Sequence, residues 1–355
     1  MLKARKCIRE MHEYAVLTSD SSITLRLDLN ENTTGCSPRV LAKLKKVDAR
    51  TLGLYPCRDE GEKMVADSLG LSPAEILLTN GADEGIDILC RAYLEPEDEV
   101  IVVVPTFSMY MTFAQLQDAK VVRVSSGPDF SFPTQHVIDS ITPKTKLIII
   151  CNPNNPTGTG VKRSEILQVV QTAPHAAVLL DEAYYHFYGQ TLMDQIGKLP
   201  NLFIARTFSK VYGLAGMRLG VMAGDKEQMS YLRRMASPFN VNMFAIECLA
   251  EALADTEHVN AYITQICASR EWLRDQLEQL DIKCWPSQTN FLLCRFGQEK
   301  AAILSALRKR GVGLRDRPDC EGCVRITIGT QPEMERLVAE LKQVLADLPE
   351  AKVAR

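Results

Sequence analysis

One amine stands out for its setting. Lys210 sits in TFSKVYGLAGMRLG, residues 207–220, directly after an apolar run and among glycines that let backbone approach closely. An amine so placed can attack a carbonyl and form a Schiff base. Alone it reads far more often as a solvated charge, but Ser209 and Arg218 flank it with a hydroxyl and a fixed cation, the groups that hold a phosphate.

A carboxylate ends a second apolar run in LLDEAYY, residues 179–185. Asp181 there is either a helix N-cap or a buried acid, and a buried acid needs a cationic or hydrogen-bonding partner. If the apolar run is a strand, Asp181 lies at its carboxyl end, where open α/β sheets bind ligands, with the Tyr184 phenol on the same side. In CNPNNPTG, residues 151–158, two Asn-Pro steps and a Thr-Gly make a stiff non-helical loop that fixes an amide side chain. In TNGADEG, residues 79–85, Gly81 and Ala82 open a helix whose free N–H groups and dipole suit an anion. Neither a dinucleotide fingerprint nor a P-loop is present.

These segments need a frame, and the chain supplies one. From about residue 76 short aliphatic runs alternate with helix-length amphipathic stretches, the texture of an α/β unit with a mostly parallel buried sheet. Seven strands are expected, at 76–79, 100–104, 120–124, 147–151, 177–180, 202–206 and 219–223, with helices at 82–93, 108–117, 163–171 and 226–235 between them. Beyond about 240 the pattern changes to long helical stretches over 243–279. Strands at 290–295, 312–315 and 323–328 and helices at 299–310 and 332–348 follow, a smaller α+β unit. A large unit over 30–240 and a small one from 1–29 with 241–355 is the expected division.

Composition narrows the function classes. The chain has 355 residues and a net charge of −3, with 46% hydrophobic and 24% charged residues, so it can bury a large core. No Lys/Arg block suggests nucleic acid, and no apolar run approaches the ~20 residues of a membrane span. Eleven cysteines, an odd number irregularly spread, suit a reduced cytoplasmic compartment rather than a disulfide framework. Cys320 and Cys323 have metal-ligand spacing, but with no second CxxC or histidine cluster no metal is expected. The opening stretch MLKARKCIREMHEY lacks the apolar core of a secretory signal and reads as an amphipathic helix.

Taken in order, LDLNEN, LYP, NGADEGID, VVPTFSMY, NPNNPTG, LLDEAYYHF, RTFSKVYGLAGMRLG, SQTNFLL and VRITIGT resemble the pyridoxal-phosphate-dependent aminotransferases of the aspartate-aminotransferase fold (fold type I) over nearly the whole chain. Within them the histidinol-phosphate aminotransferases are most similar. The resemblance implies that Lys210 holds pyridoxal 5'-phosphate as an internal aldimine and then moves a proton at the substrate. Asp181 would pair with the ring nitrogen, Asn155 and Tyr184 would donate to the ring oxygen, and Phe107 would stack on the ring, where a tyrosine is frequent in the family. The cofactor phosphate would rest on Gly81, Ala82 and Asp83 with Thr207, Ser209 and Arg218. Tyr55 would reach the neighbouring subunit's phosphate, implying a homodimer with shared sites.

For the substrate, the resemblance implies Arg325 as the carboxylate partner, with Arg315, Tyr14, Asn155 and Tyr55 completing a phosphate site. The expected reaction is transfer of an amino group between L-histidinol phosphate and 2-oxoglutarate, in histidine biosynthesis. An aromatic amino-acid aminotransferase stays open, with Arg315 as the discriminator, and so does a phosphothreonine-type decarboxylase on the same fold. A transcription regulator's cofactor domain lacks support, since no helix-turn-helix pattern precedes residue 30.

Overall fold

The computed structural model describes residues 2–11 and 20–347. Among the described residues twelve strands form two sheets. Strands β1 (Leu25–Leu27), β2 (Ile76–Thr79), β3 (Glu99–Val104), β4 (Lys120–Ser125), β5 (Thr145–Cys151), β6 (Ala177–Asp181), β7 (Leu202–Thr207) and β8 (Gly220–Gly224) precede residue 225. Strands β9 (Lys283–Cys284), β10 (Phe291–Arg295), β11 (Val312–Arg317) and β12 (Cys323–Thr327) follow it.

The large sheet runs β2-β8-β7-β6-β5-β3-β4, and β8 alone is antiparallel to its neighbours. Its strands are the seven expected from the sequence, β2 with the same ends and the others with ends shifted by one or two residues. The inner strands are legible because both faces are covered. Ile148, Ile150, Val178 and Leu180 pack into one apolar cluster, while Leu147, Ile149, Leu179 and Phe203 pack into another on the opposite face. Because β8 runs backwards, its amino end, carrying Arg218 and Gly220, lies beside the carboxyl ends of β2 and β7. Three loops far apart in sequence thereby meet at one edge.

The five-stranded sheet runs β1-β11-β12-β10-β9, so a strand near the amino terminus lies parallel to β11 of the carboxyl-terminal part. Helices Thr256–Glu278, Lys300–Lys309 and Gln331–Asp347 cover it through Leu273, Leu307, Leu337 and Leu341. Helix Met243–Ala254 packs instead with the large sheet's core, where Ile246 and Leu249 join Val40 and Val65. Of the expected first helix, the described residues show Lys6–Glu10, none of them buried, with Arg5 just before it donating to Asp118 at 2.6 Å.

Candidate active site

The site lies between the two sheets, in a cavity of ≈ 420 Å³ at the carboxyl edge of the large one. That volume suits a small cofactor with a substrate. Its lining contains Lys210, Asp181, Tyr184, Asn155, Phe107, Ala82, Asp83, Thr207, Ser209, Arg218 and Arg325.

At the floor, Asp181 ends β6 in register with Cys151 of β5 and Ala205 of β7. Its carboxylate is immobilised from two sides. Tyr110 Oη donates to Oδ2 at 2.6 Å, and the Ala183 amide donates to Oδ1 at 2.9 Å. Burial pushes the Asp181 carboxyl up to about 6 against the pull of these donors. Tyr110 escaped the sequence reading because, in helix Met109–Leu116, it looks like one more core aromatic; the signal was a phenol three residues after Phe107. The two rings meet edge to face, 5.5 Å apart.

Lys210 Nζ donates to the Leu29 carbonyl oxygen at 3.0 Å and lies 5.8 Å from the Tyr184 ring centre. Crowding by protein, with Arg325 nearby, brings its amine down to about 8. It therefore holds a usable neutral fraction near neutral pH, as a nucleophile or base requires.

At the opposite end, helix Gly81–Tyr93 begins with no side chain capping its first amides, which leaves donors for an anion. Two glycines shape this end. A Cβ on Gly81 would stand 2.6 Å from Arg218 Nη2, and one on Gly220 would stand 2.5 Å from the Ala82 amide nitrogen. Arg218, in the left-handed region at φ 51°, pairs with Asp83 at 3.2 Å.

The small sheet closes the cavity. Arg325 of β12 is buried and donates through Nη1 to Asn155 Oδ1 and through Nη2 to the Asp28 carbonyl, both at 2.6 Å. Arg315 of β11 is its direct cross-strand neighbour. Arg315 does not line the first cavity; it lines an adjoining cleft of ≈ 1200 Å³ that shares Phe107 with it. Tyr55 lies outside both; it is 79% exposed and stacks on Phe239 with ring centres 4.1 Å apart. Tyr14 lies outside the described residues. Asn30, quoted in a motif but given no role, proves to line the cavity and donates through Nδ2 to Tyr184 Oη at 2.8 Å.

No group of three or more metal-ligating side chains occurs among the described residues, and all eleven cysteines are free thiols. None of the described helices is long and apolar enough to cross a membrane.

The arrangement suits a flat molecule with an anion at one end, a protonated ring nitrogen at the other and a carbonyl beside Lys210. Residues 22–341 match the family model described as aminotransferase class I and II. A histidinol-phosphate aminotransferase of Dehalococcoides mccartyi is 33% identical over 334 residues, 92% of each chain. One from Roseiflexus castenholzii is 36% identical, covering 90% of this chain and 89% of its own. Among solved structures, a histidinol-phosphate aminotransferase from Sinorhizobium meliloti in complex with pyridoxal-5'-phosphate superposes with TM-score 0.89 at 22% identity, over 98% of this chain and 99% of its own. The aspartate aminotransferase of Thermus thermophilus with maleate gives 0.85 at 20% identity, over 97% and 100%. At such identities the two structures establish the fold.

Proposed function

The chain belongs to the class I and II aminotransferases, which use pyridoxal phosphate, and from that premise we propose that it moves an amino group between L-histidinol phosphate and 2-oxoglutarate in histidine biosynthesis. The cavity fits the cofactor. Its uncapped helix start, Ser209 and Arg218 suit a phosphate, and its buried carboxylate suits a cationic ring nitrogen. When bound, the cofactor supplies an electron sink conjugated to the reacting carbon.

Lys210 would hold the cofactor covalently through Nζ and, once released, carry a proton to and from the substrate carbon; its lowered proton affinity supports both tasks. Asp181 would keep the ring nitrogen protonated, and it is pre-aimed by Tyr110 and Ala183. With Asn155 Oδ1 engaged by Arg325, its Nδ2 is the donor left for the ring oxygen, alongside the Tyr184 hydroxyl. Phe107 would stack on the ring and exclude water. The amides of Ala82 and Asp83, with Gly81 leaving room, would hold the phosphate together with Thr207, Ser209 and Arg218.

The substrate reading is carried by the register of Arg315 opposite Arg325. Two guanidinium groups directly opposite on neighbouring strands concentrate positive charge at the cavity wall, an arrangement that suits anionic substrates. Arg325 would take the carboxylate of glutamate or 2-oxoglutarate in a bidentate fork, and Arg315 in the adjoining cleft would take the phosphate of histidinol phosphate, which has no carboxylate. Tyr14 and Asn155 would add donors there.

The exposed apolar side chains Leu41, Leu52, Leu54, Tyr55, Phe239 and Phe244, of which Tyr55 and Phe239 stack on each other, support a homodimer in which Tyr55 serves the partner's cofactor phosphate. Steady-state rates with histidinol phosphate, phenylalanine and phosphothreonine test the reading. A kcat/KM highest for histidinol phosphate is expected; a preference for phenylalanine would move the chain to the aromatic enzymes, and release of CO₂ from phosphothreonine would make it a decarboxylase.

A further inference from the structure

Asn30 joins the two halves of the site through four hydrogen bonds, all buried. Its backbone N–H donates to Thr327 Oγ1 at 2.9 Å, and its carbonyl oxygen accepts from Asn290 Nδ2 at 3.2 Å. Its side chain contributes an acceptor and a donor: Oδ1 accepts from Thr327 Oγ1 at 3.2 Å, and Nδ2 donates to Tyr184 Oη at 2.8 Å. Asn30, Thr327, Asn290 and Tyr184 are each less than 5% exposed.

The direction of every proton in this chain follows from counting. Thr327 Oγ1 already accepts the Asn30 N–H, so its single proton must go elsewhere, and among the described hydrogen bonds its acceptor is Asn30 Oδ1. That fixes the amide with its NH₂ toward Tyr184. Tyr184 Oη, accepting from Nδ2, keeps its own hydrogen to give away. Burial pushes the phenol up, so the hydrogen is present at working pH. The charged and titratable groups that act on it are Arg325 of β12, Asp181 of β6 and Cys151 of β5, and Lys210 Nζ lies 5.8 Å from its ring centre.

We propose that Asn30 is a positioning residue that aims the Tyr184 hydroxyl hydrogen into the cavity, toward the cofactor's ring oxygen. The inference rests on the reading of Tyr184 given above. It also assigns a purpose to the left-handed backbone of Asn30, φ 54°, which brings the side chain across from the strand-β1 segment and which Asn tolerates better than most residues.

Asn30→Asp tests this with one atom changed. Aspartate adopts the same backbone region and still accepts from Thr327, but it presents an acceptor to Tyr184, and the phenol then donates to it instead of to the cavity. The readouts are the pH midpoint of the holoenzyme's visible-absorbance titration and the bound cofactor content. A donor on the ring oxygen favours its anionic form and lowers that midpoint. Tyr184→Phe should therefore raise it by about one unit or more, and Asn30→Asp by a similar amount. In the Tyr184→Phe background Asn30→Asp should add nothing. An unmoved midpoint in Asn30→Asp overturns the proposal, and so does a shift that persists undiminished without the Tyr184 hydroxyl, since that is the new charge acting directly. An unmoved midpoint in Tyr184→Phe alone instead breaks the underlying reading of Tyr184, and the proposal with it. Should Asn30→Asp fold poorly, Thr327→Val removes the hydroxyl that orients the amide; a smaller rise is expected, and none would count against the relay.

Discussion

The two sheets meet one cavity with different devices. The large sheet offers Asp181, Tyr184 and Lys210 at its carboxyl edge, each already engaged: Asp181 by Tyr110, Tyr184 by Asn30, Lys210 by the Leu29 carbonyl. The small sheet offers two cations opposite each other on β11 and β12, one in the cofactor cavity and one in the cleft beyond. Groups that every substrate of such an enzyme needs are held rigid by buried hydrogen bonds. The groups proposed to choose between substrates are instead two guanidinium groups on neighbouring strands, each facing a different cavity.

That contrast can be broken from either side. On the large sheet, Lys210→Ala should abolish turnover and the cofactor's aldimine absorbance; an unchanged spectrum would contradict the role given to its amine. Asp181→Asn should keep the fold by circular dichroism yet lower kcat at least about 100-fold, and wild-type activity would remove the ring-nitrogen pairing. A milder effect comes from pH. With the amine at about 8 in the apoprotein, the charged form dominates below that value, so the rate of cofactor capture should climb with pH and level off above it. A rate flat across this range would show that the amine is not the limiting group. The smallest effect concerns partnership between subunits. Lys210→Ala and Tyr55→Ala chains, each impaired alone, should regain activity when refolded together, because the mixed dimer contains one site with both residues; no recovery would place Tyr55 outside the partner's site.

The same contrast explains what the sequence could tell. The inner strands of the large sheet were legible because a strand buried on both faces must be apolar throughout, as in residues 147–151 and 177–180, and Asp181, the polar residue ending the second run, lies at the ligand edge. The small sheet was half legible. Strands β10 to β12 announce themselves, but β1 has three residues and β9 two, too short for any period to appear. Helices Pro38–Leu44 and Arg58–Leu69 were not anticipated, the second because a mostly polar stretch, with Gly61 and Glu62 among its buried residues, hides its inner face. Glu62 is buried there against Arg58, one helical turn before it, and against Arg233, and the second pairing is one that no local pattern reveals. Tyr110 and Asn30 were missed for a related reason. Their importance lies in one hydrogen bond each to a residue 71 and 154 positions away.

The central claim is that the small sheet's second arginine selects a phosphate-bearing substrate, and Arg315→Ala measured with both half-reactions tests it most directly. Loss of one charge-assisted contact, worth ~1.5–3 kcal/mol, predicts a fall of roughly 10- to 150-fold in kcat/KM for histidinol phosphate. The fall for glutamate should be clearly smaller. Equal losses for the two would contradict the account and favour an aromatic amino-acid substrate.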